Sequence, residues 1–261
     1  MAARFPVVFT AHGNPMNALP GTPFAGFLRA WSASRPTPRS ILCVSAHWER
    51  RGLAVTSTES PRTVHDFWGF PEELYRLDYR APGSPALAAR VRNLLSAAGL
   101  GADADPERGL DHGAWAPLRH LYPGAEVPVV QVSLPVGEPL SLLLEVGRAL
   151  APLREEEVLI LGSGNLVHNL RTADLERREA PVPAWARSFD QWVRDRLETW
   201  DLAPLCDPWE ASPDGSRAHP TLEHYAPLLV VCGASGACPS LRFPNETFEH
   251  GTVSMRCVQM E

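Results

Sequence analysis

Ser40-Ile41-Leu42-Cys43-Val44-Ser45-Ala46-His47-Trp48 is the stretch that decides the fold. Its apolar run from Ile41 to Val44, entered from Arg-Pro-Thr-Pro-Arg, has no polar alternation and reads as a strand buried on both faces. The run ends in small residues and then a histidine, so the strand holds His47 at its carboxyl end. In open α/β sheets, ligands bind in the crevice outside the carboxyl ends of the strands. Two other segments repeat the arrangement. Phe5-Pro6-Val7-Val8-Phe9-Thr10-Ala11 runs into His12-Gly13, and Val158-Leu159-Ile160-Leu161 runs into Gly162-Ser163-Gly164-Asn165-Leu166-Val167-His168-Asn169.

Working outward, Thr22-Pro23 reads as an N-cap and first helical position, with Phe24, Phe27, Leu28 and Trp31 spaced by three and four. Leu53 to Thr58 reads as a hairpin partner of the Ile41 strand. Residues 59–79, which include Thr63-Val64-His65-Asp66-Phe67-Trp68-Gly69-Phe70-Pro71, form an aromatic, aperiodic loop of a length that is uncommon without a function. Ser84-Pro85 caps a second helix, and a short helix follows Asp111-His112-Gly113. Val127 to Leu134 is a further strand, Pro139 to Leu153 a third helix, and Pro183 to Trp200 the most regular helix of the chain. Thr221 can cap a helix, although the run Leu228 to Cys232 fits helix or strand, and Thr252 to Met260 reads as a closing strand. Alternating strands and helices predict an α/β fold: one domain over residues 1–261, with a central mixed, mostly parallel sheet, helices on both faces and a metal site at strand carboxyl ends.

The composition, 44% hydrophobic and 21% charged, is that of a globular protein, and no apolar run reaches the length of a membrane span. The opening Met1-Ala2-Ala3-Arg4-Phe5 leads straight toward a strand without an apolar secretory segment, which predicts a cytoplasmic protein. A net charge of −6 and the lack of a basic stripe argue against a nucleic-acid partner. The five cysteines form no C-x-x-C pair, and disulfides are not expected.

Nine histidines remain to be sorted. His120 and His250 have no special context. His12 and His47 sit beside Ala11, Gly13 and Ala46, which leave room for a group to approach the imidazole. Several strand-end histidines are most economically explained by a metal: neutral imidazoles suit zinc, iron, copper and nickel, and two or three with an open position describe a catalytic site. H-E-x-x-H is missing, which removes the common zinc-protease reading. Ser45 and Ser163 are weaker nucleophile candidates, since Gly162-Ser163-Gly164 is not the five-residue nucleophile elbow. The same glycines resemble a phosphate loop only weakly, without the Walker spacing or its lysine.

Six motifs in order, His12-Gly13-Asn14-Pro15-Met16, Ser45-Ala46-His47-Trp48, the Thr63 to Pro71 stretch, Leu110-Asp111-His112-Gly113, Gly162 to Leu170 and His219-Pro220-Thr221-Leu222-Glu223-His224-Tyr225, resemble the class III extradiol ring-cleavage dioxygenases of the DOPA 4,5-dioxygenase type. The resemblance implies a mononuclear metal site, with Fe(II) in the working enzyme and zinc sometimes occupying the isolated protein. It implies His12, His47 and His224 as ligands, His168 as a fourth ligand or an acid–base group, and Glu223 as an alternative to His224. His112 resembles an acid–base or substrate-orienting histidine, and His65 and His219 resemble substrate-binding positions. The implied reaction is cleavage of a catechol, L-DOPA or a relative, by O₂ to a muconate semialdehyde-type product. The sequence assigns no arginine or lysine to a substrate carboxylate, although Arg171, just beyond His168, is a candidate. A zinc-dependent hydrolase and a non-catalytic metal or small-ligand binding protein are the competing readings, and O₂ consumption with catechol separates them from the first.

Overall fold

The computed structural model describes residues 4–261, so the stretch from Met1 to Ala3 lies outside the described residues. The strands are β1 (Val7–Ala11), β2 (Ser40–Arg50), β3 (Leu53–Thr56), β4 (Ala102–Asp105), β5 (Val129–Pro135), β6 (Val158–Gly164), β7 (Leu241–Asn245), β8 (Phe248–Glu249), β9 (Val253–Ser254) and β10 (Cys257–Met260). The helices are α1 (Pro23–Ala33), α2 (Glu72–Tyr75), α3 (Pro85–Ala97), α4 (His112–Leu121), α5 (Ser141–Leu150), α6 (Ala184–Glu198), α7 (Pro208–Ala211), α8 (Gly215–Ala218) and α9 (Ala226–Ser235).

Eight strands form one sheet in the order β4-β3-β5-β2-β6-β1-β10-β7. Its centre, β5-β2-β6-β1, is parallel, and the antiparallel pairings lie toward the edges. Alternate residues of the central strands enter two separate cores. Val7, Phe9, Leu42, Val44 and Ile160 pack with residues of α3, α5, α6 and α9, whereas Val8, Ile41, Cys43, Leu159 and Leu161 pack with residues of α1 and α4. This is why β1, β2 and β6 read as unbroken apolar runs: both faces are covered by helices.

The helix starts follow their caps. Thr22 Oγ1 accepts from Ala25 N and Ser84 Oγ from Leu87 N, each ahead of a proline at the first helical position. Three expectations are corrected. The Leu53 strand is not a hairpin partner of β2, because β5 lies between them. Thr221 does not cap a helix; its hydroxyl donates to Glu223, and the apolar run that follows is the buried helix α9, packed on β6 and α5. The closing strand is broken after Ser254 by Met255 and Arg256, whose guanidinium turns inward to the buried Asp190 of α6.

Candidate metal centre

β1, β6 and β2 are adjacent and parallel, so their carboxyl ends share one edge. His12 follows directly on β1 and His47 lies near the end of β2. Past Val44 the register between β2 and β5 shifts, which frees the His47 carbonyl from its neighbour. Arg108 enters there and donates to that carbonyl at 3.0 Å and to Asp111 Oδ2 at 3.0 Å.

His224 arrives differently, on the segment before α9. A Cβ at Gly164 would stand 2.0 Å from the His224 carbonyl oxygen, and that carbonyl accepts from Asn165 N at 2.9 Å. The glycines of β6 therefore serve close backbone approach, which answers the weak phosphate-loop reading. Gly113 plays the same part on α4: a Cβ there would stand 2.3 Å from Ser45 Oγ and 3.0 Å from the His47 ring.

One nitrogen from each of His12, His47 and His224 lies within 4.8 Å of the other two, and the Nε2 atoms of His12 and His47 are 3.1 Å apart. Hydrogen-bond arithmetic sets the tautomers of His12 and His224. Ser163 donates its one hydroxyl proton to the Gly113 carbonyl, so at 3.1 Å it can only accept from His12 Nδ1–H, leaving Nε2 bare. His47 Nδ1 faces Asp66 Oδ2 at 3.4 Å, and His224 Nδ1 donates to Glu223 Oε1 at 3.0 Å. The Nε2 atoms of His12 and His224 are thus left bare, each opposed by a group that holds the other ring nitrogen, and the His47 Nε2 beside them completes a nitrogen triad that fits one cation. Burial pushes the His12 and His224 imidazoles well below the usual histidine range and His47 down to about 4, so all three are neutral at pH 7, the form a metal binds.

Two more histidines complete the ring of imidazoles. His168 stacks on His224 with centroids 3.5 Å apart, and burial pushes it down to about 3. His112, at the start of α4, lies 3.9 Å from the His47 ring and donates both its backbone N–H and its Nδ1–H to Asp66 Oδ1, each at 2.9 Å. Burial raises the Asp66 carboxyl, but its bonds to His112 and the nearby His47 outweigh this and hold it at about 2. A cavity of about 270 Å³ opens on the five histidines.

A family model for the catalytic LigB subunit of aromatic ring-opening dioxygenase matches residues 8–256. The chain belongs to the LigB family. It is 41% identical over 263 residues to 4,5-DOPA dioxygenase extradiol of Escherichia coli K12, covering 99% of this chain and 96% of that one. It is 38% identical to 4,5-DOPA dioxygenase extradiol of Beta vulgaris, covering 94% of this chain and 92% of that one. The crystal structure of the uncharacterized protein JW3007 from E. coli K12 superposes with a TM-score of 0.85 at 38% identity, over 99% of this chain and 100% of that chain. The protein is an extradiol ring-cleavage dioxygenase, an enzyme that is metal-dependent and works on a small molecule with O₂.

The LigB site does not gather every histidine named from the sequence. His65 Nε2 donates to the Leu77 carbonyl at 2.9 Å and faces a different surface cavity. Its loop is nevertheless essential geometry: Thr63 bridges Leu110 and Trp115 Nε1 donates to the Val64 carbonyl, which carries Asp66 to His112. His219 is fully buried, donates to the Leu166 carbonyl at 2.8 Å and does not line the cavity. It braces the segment that carries His168, whose N–H donates to Ala218 O. Arg171 is exposed and does not line the cavity either.

Conversely, His250 does line it, from the tip of the β8–β9 hairpin, and so do Asp66 and Phe67. The sequence signal for His250 was the dipeptide His-Gly. Both residues have positive φ, 54° and 77°, a conformation that asks for glycine at the second position. Ser163 and Asp111 were also missed as supports. Asp111 is fully buried and accepts from Ser45 Oγ at 2.6 Å, Gln131 Nε2 at 2.9 Å and Arg108, which joins β2, β5 and α4 behind His47.

Proposed function

We propose that this chain, acting as one catalytic domain, binds Fe(II) through His12, His47 and His224 and cleaves a catechol with O₂ to a muconate semialdehyde-type product. The observation that carries the reading is the convergence of one ring nitrogen from each of His12, His47 and His224 in a cavity that also presents three further histidines, His112, His168 and His250. The donor set fits the metal: neutral nitrogen ligands on one side and an open cavity on the other suit iron or zinc in a catalytic site. Glu223 stands as the acceptor that orients His224 rather than as the ligand, since its Oε1 already receives His224 Nδ1–H and the Thr221 hydroxyl.

Fe(II), when bound, would anchor the diol and supply the redox chemistry that activates O₂. His112 is positioned to take a phenolic proton at Nε2, because its Nδ1–H is committed to Asp66, whose charge stabilises the imidazolium so formed. His168, stacked on His224 and engaged through its backbone rather than its ring, serves as the second acid–base group on the opposite side. Phe67, packed 5.6 Å from the His112 ring, shields that side from water.

The test is anaerobic reconstitution with Fe(II), addition of catechol and then air. The expected result is equal stoichiometry of O₂ uptake and a yellow semialdehyde absorbance. O₂-independent hydrolysis by zinc-loaded protein, with no turnover after iron exchange, would overturn it.

A further inference from the structure

The mouth of the cavity has a composition that the ring chemistry does not require. Six large apolar side chains face solvent among the described residues, and three of them, Trp68 (86% exposed), Leu170 (52%) and Leu175 (57%), rim this one cavity, with Phe70 and Val253 beside them. Single exposed apolar residues are ordinary, but a cluster of them around a pocket marks a binding surface. The rim is also held in shape. His250, despite its left-handed backbone, donates Nδ1–H to the Asp174 carbonyl at 3.0 Å and N–H to the Arg178 carbonyl at 2.7 Å, and its own carbonyl accepts from Asp174 N at 3.0 Å. These bonds fasten the loop that carries Leu170 and Leu175 to the β8–β9 hairpin. A non-glycine residue kept at positive φ is costly and points to a position with a task.

The charges around the rim are one-sided. The protein has 24 arginines and no lysine, and among the described residues no arginine lines the cavity. The arginine next to the hairpin, Arg178, is spent on Asn17 Oδ1 at 2.7 Å and Glu249 Oε1 at 2.6 Å, and Arg108 is spent behind His47. The carboxylate that does line the cavity is Asp66. An anionic substituent on the ring would therefore meet apolar surface and a like charge, with no counter-ion.

We propose that Trp68, Phe70, Leu170, Leu175 and Val253 form an apolar subsite for the ring substituent, and that the enzyme prefers catechols with uncharged alkyl-type substituents over those ending in a carboxylate. This rests on the catechol reading above and names the substrate class within it. Each methylene added to the substituent moves out of water onto these side chains, and a fully buried methylene contributes about 0.8 kcal/mol, or roughly a fourfold gain. Because the subsite is open on one side, about twofold per carbon is expected.

The experiment measures two quantities for catechol, 4-methyl-, 4-ethyl- and 4-propylcatechol, and 3-(3,4-dihydroxyphenyl)propionate. One is Kd for the metal-loaded protein without O₂; the other is kcat/KM with Fe(II) in air. Affinity should rise along the alkyl series and 4-propylcatechol should bind at least tenfold more tightly than the propionate. Leu175→Ser and Trp68→Ala should each shrink the propyl-to-catechol affinity ratio at least twofold. A flat alkyl series, or tighter binding of the propionate, overturns the subsite whether or not the ring is cleaved. An intact affinity trend without cleavage of any catechol overturns the proposed reaction and leaves the subsite standing.

Discussion

Ser163 shows what a single hydroxyl can decide. Read in sequence it is a serine between glycines and an unconvincing nucleophile; in the fold it is a fully buried relay from His12 Nδ1 to the Gly113 carbonyl. Without that oxygen the His12 ring has no fixed tautomer, and orienting partners of this kind are worth about 10–100-fold in metal affinity. Ser163→Ala should therefore weaken Fe(II) or Zn(II) binding by about that factor, read by calorimetric titration, with the circular dichroism spectrum unchanged. Unaltered affinity would remove Ser163 from the metal site. At this scale the sequence named His12, His47, His112, His168 and His224 by their company of small residues and motif order. It misplaced His65 and His219, because a histidine that bonds a backbone carbonyl looks the same in one dimension as one that faces a cavity.

At the scale of elements, β6 is the hinge between sheet and site. Its terminal Gly164 has room for a hydrogen and nothing more, since a Cβ would collide with the His224 carbonyl. Gly164→Ala should displace the whole segment before α9, lowering metal affinity more than Ser163→Ala does, and the same titration measures it. The joint between α6 and the segment linking β9 to β10 depends on another close contact. Arg256 and Ser254 both donate to the buried Asp190, Ser254 Oγ at 2.6 Å and Arg256 Nε at 2.9 Å. Asp190→Ala leaves a buried guanidinium short of its partner and should cost about 3–5 kcal/mol, measured by urea unfolding. Helices α1, α3 and α6 were legible because their caps or apolar periodicity are local. The short edge strands β4 and β7 were not, since pairing at a sheet edge leaves little pattern in the chain.

For the whole molecule, the concentration of buried imidazoles has a consequence for acid stability. Burial pushes His219 down to about 4, against an ordinary value near 6.5 in the unfolded chain. The unfolded state thus takes up a proton first as the pH falls, so the stability is present above about 6.5 and is lost progressively toward pH 4. His219→Gln can still donate to the Leu166 carbonyl and removes this proton from the balance. In metal-free protein its unfolding free energy should fall less steeply over that window, by up to about 1.4 kcal/mol per pH unit. Urea midpoints of the two proteins at pH 7, 6, 5 and 4 give the comparison; parallel curves would refute it.

The sequence by itself determined the covered parallel strands, the main helices and the histidines at strand ends, because buried runs, caps and small residues beside a functional group are properties of neighbours along the chain. Only the tertiary structure decided that β5 separates β2 from β3, that glycines in β6 admit the His224 backbone, and that Ser163, Asp66 and Glu223 set the tautomers of His12, His112 and His224. Those are contacts between residues up to 151 positions apart. Strand order, close backbone approach and the direction of a proton in a hydrogen bond depend on which segments meet in space, and no local pattern of residue types records that.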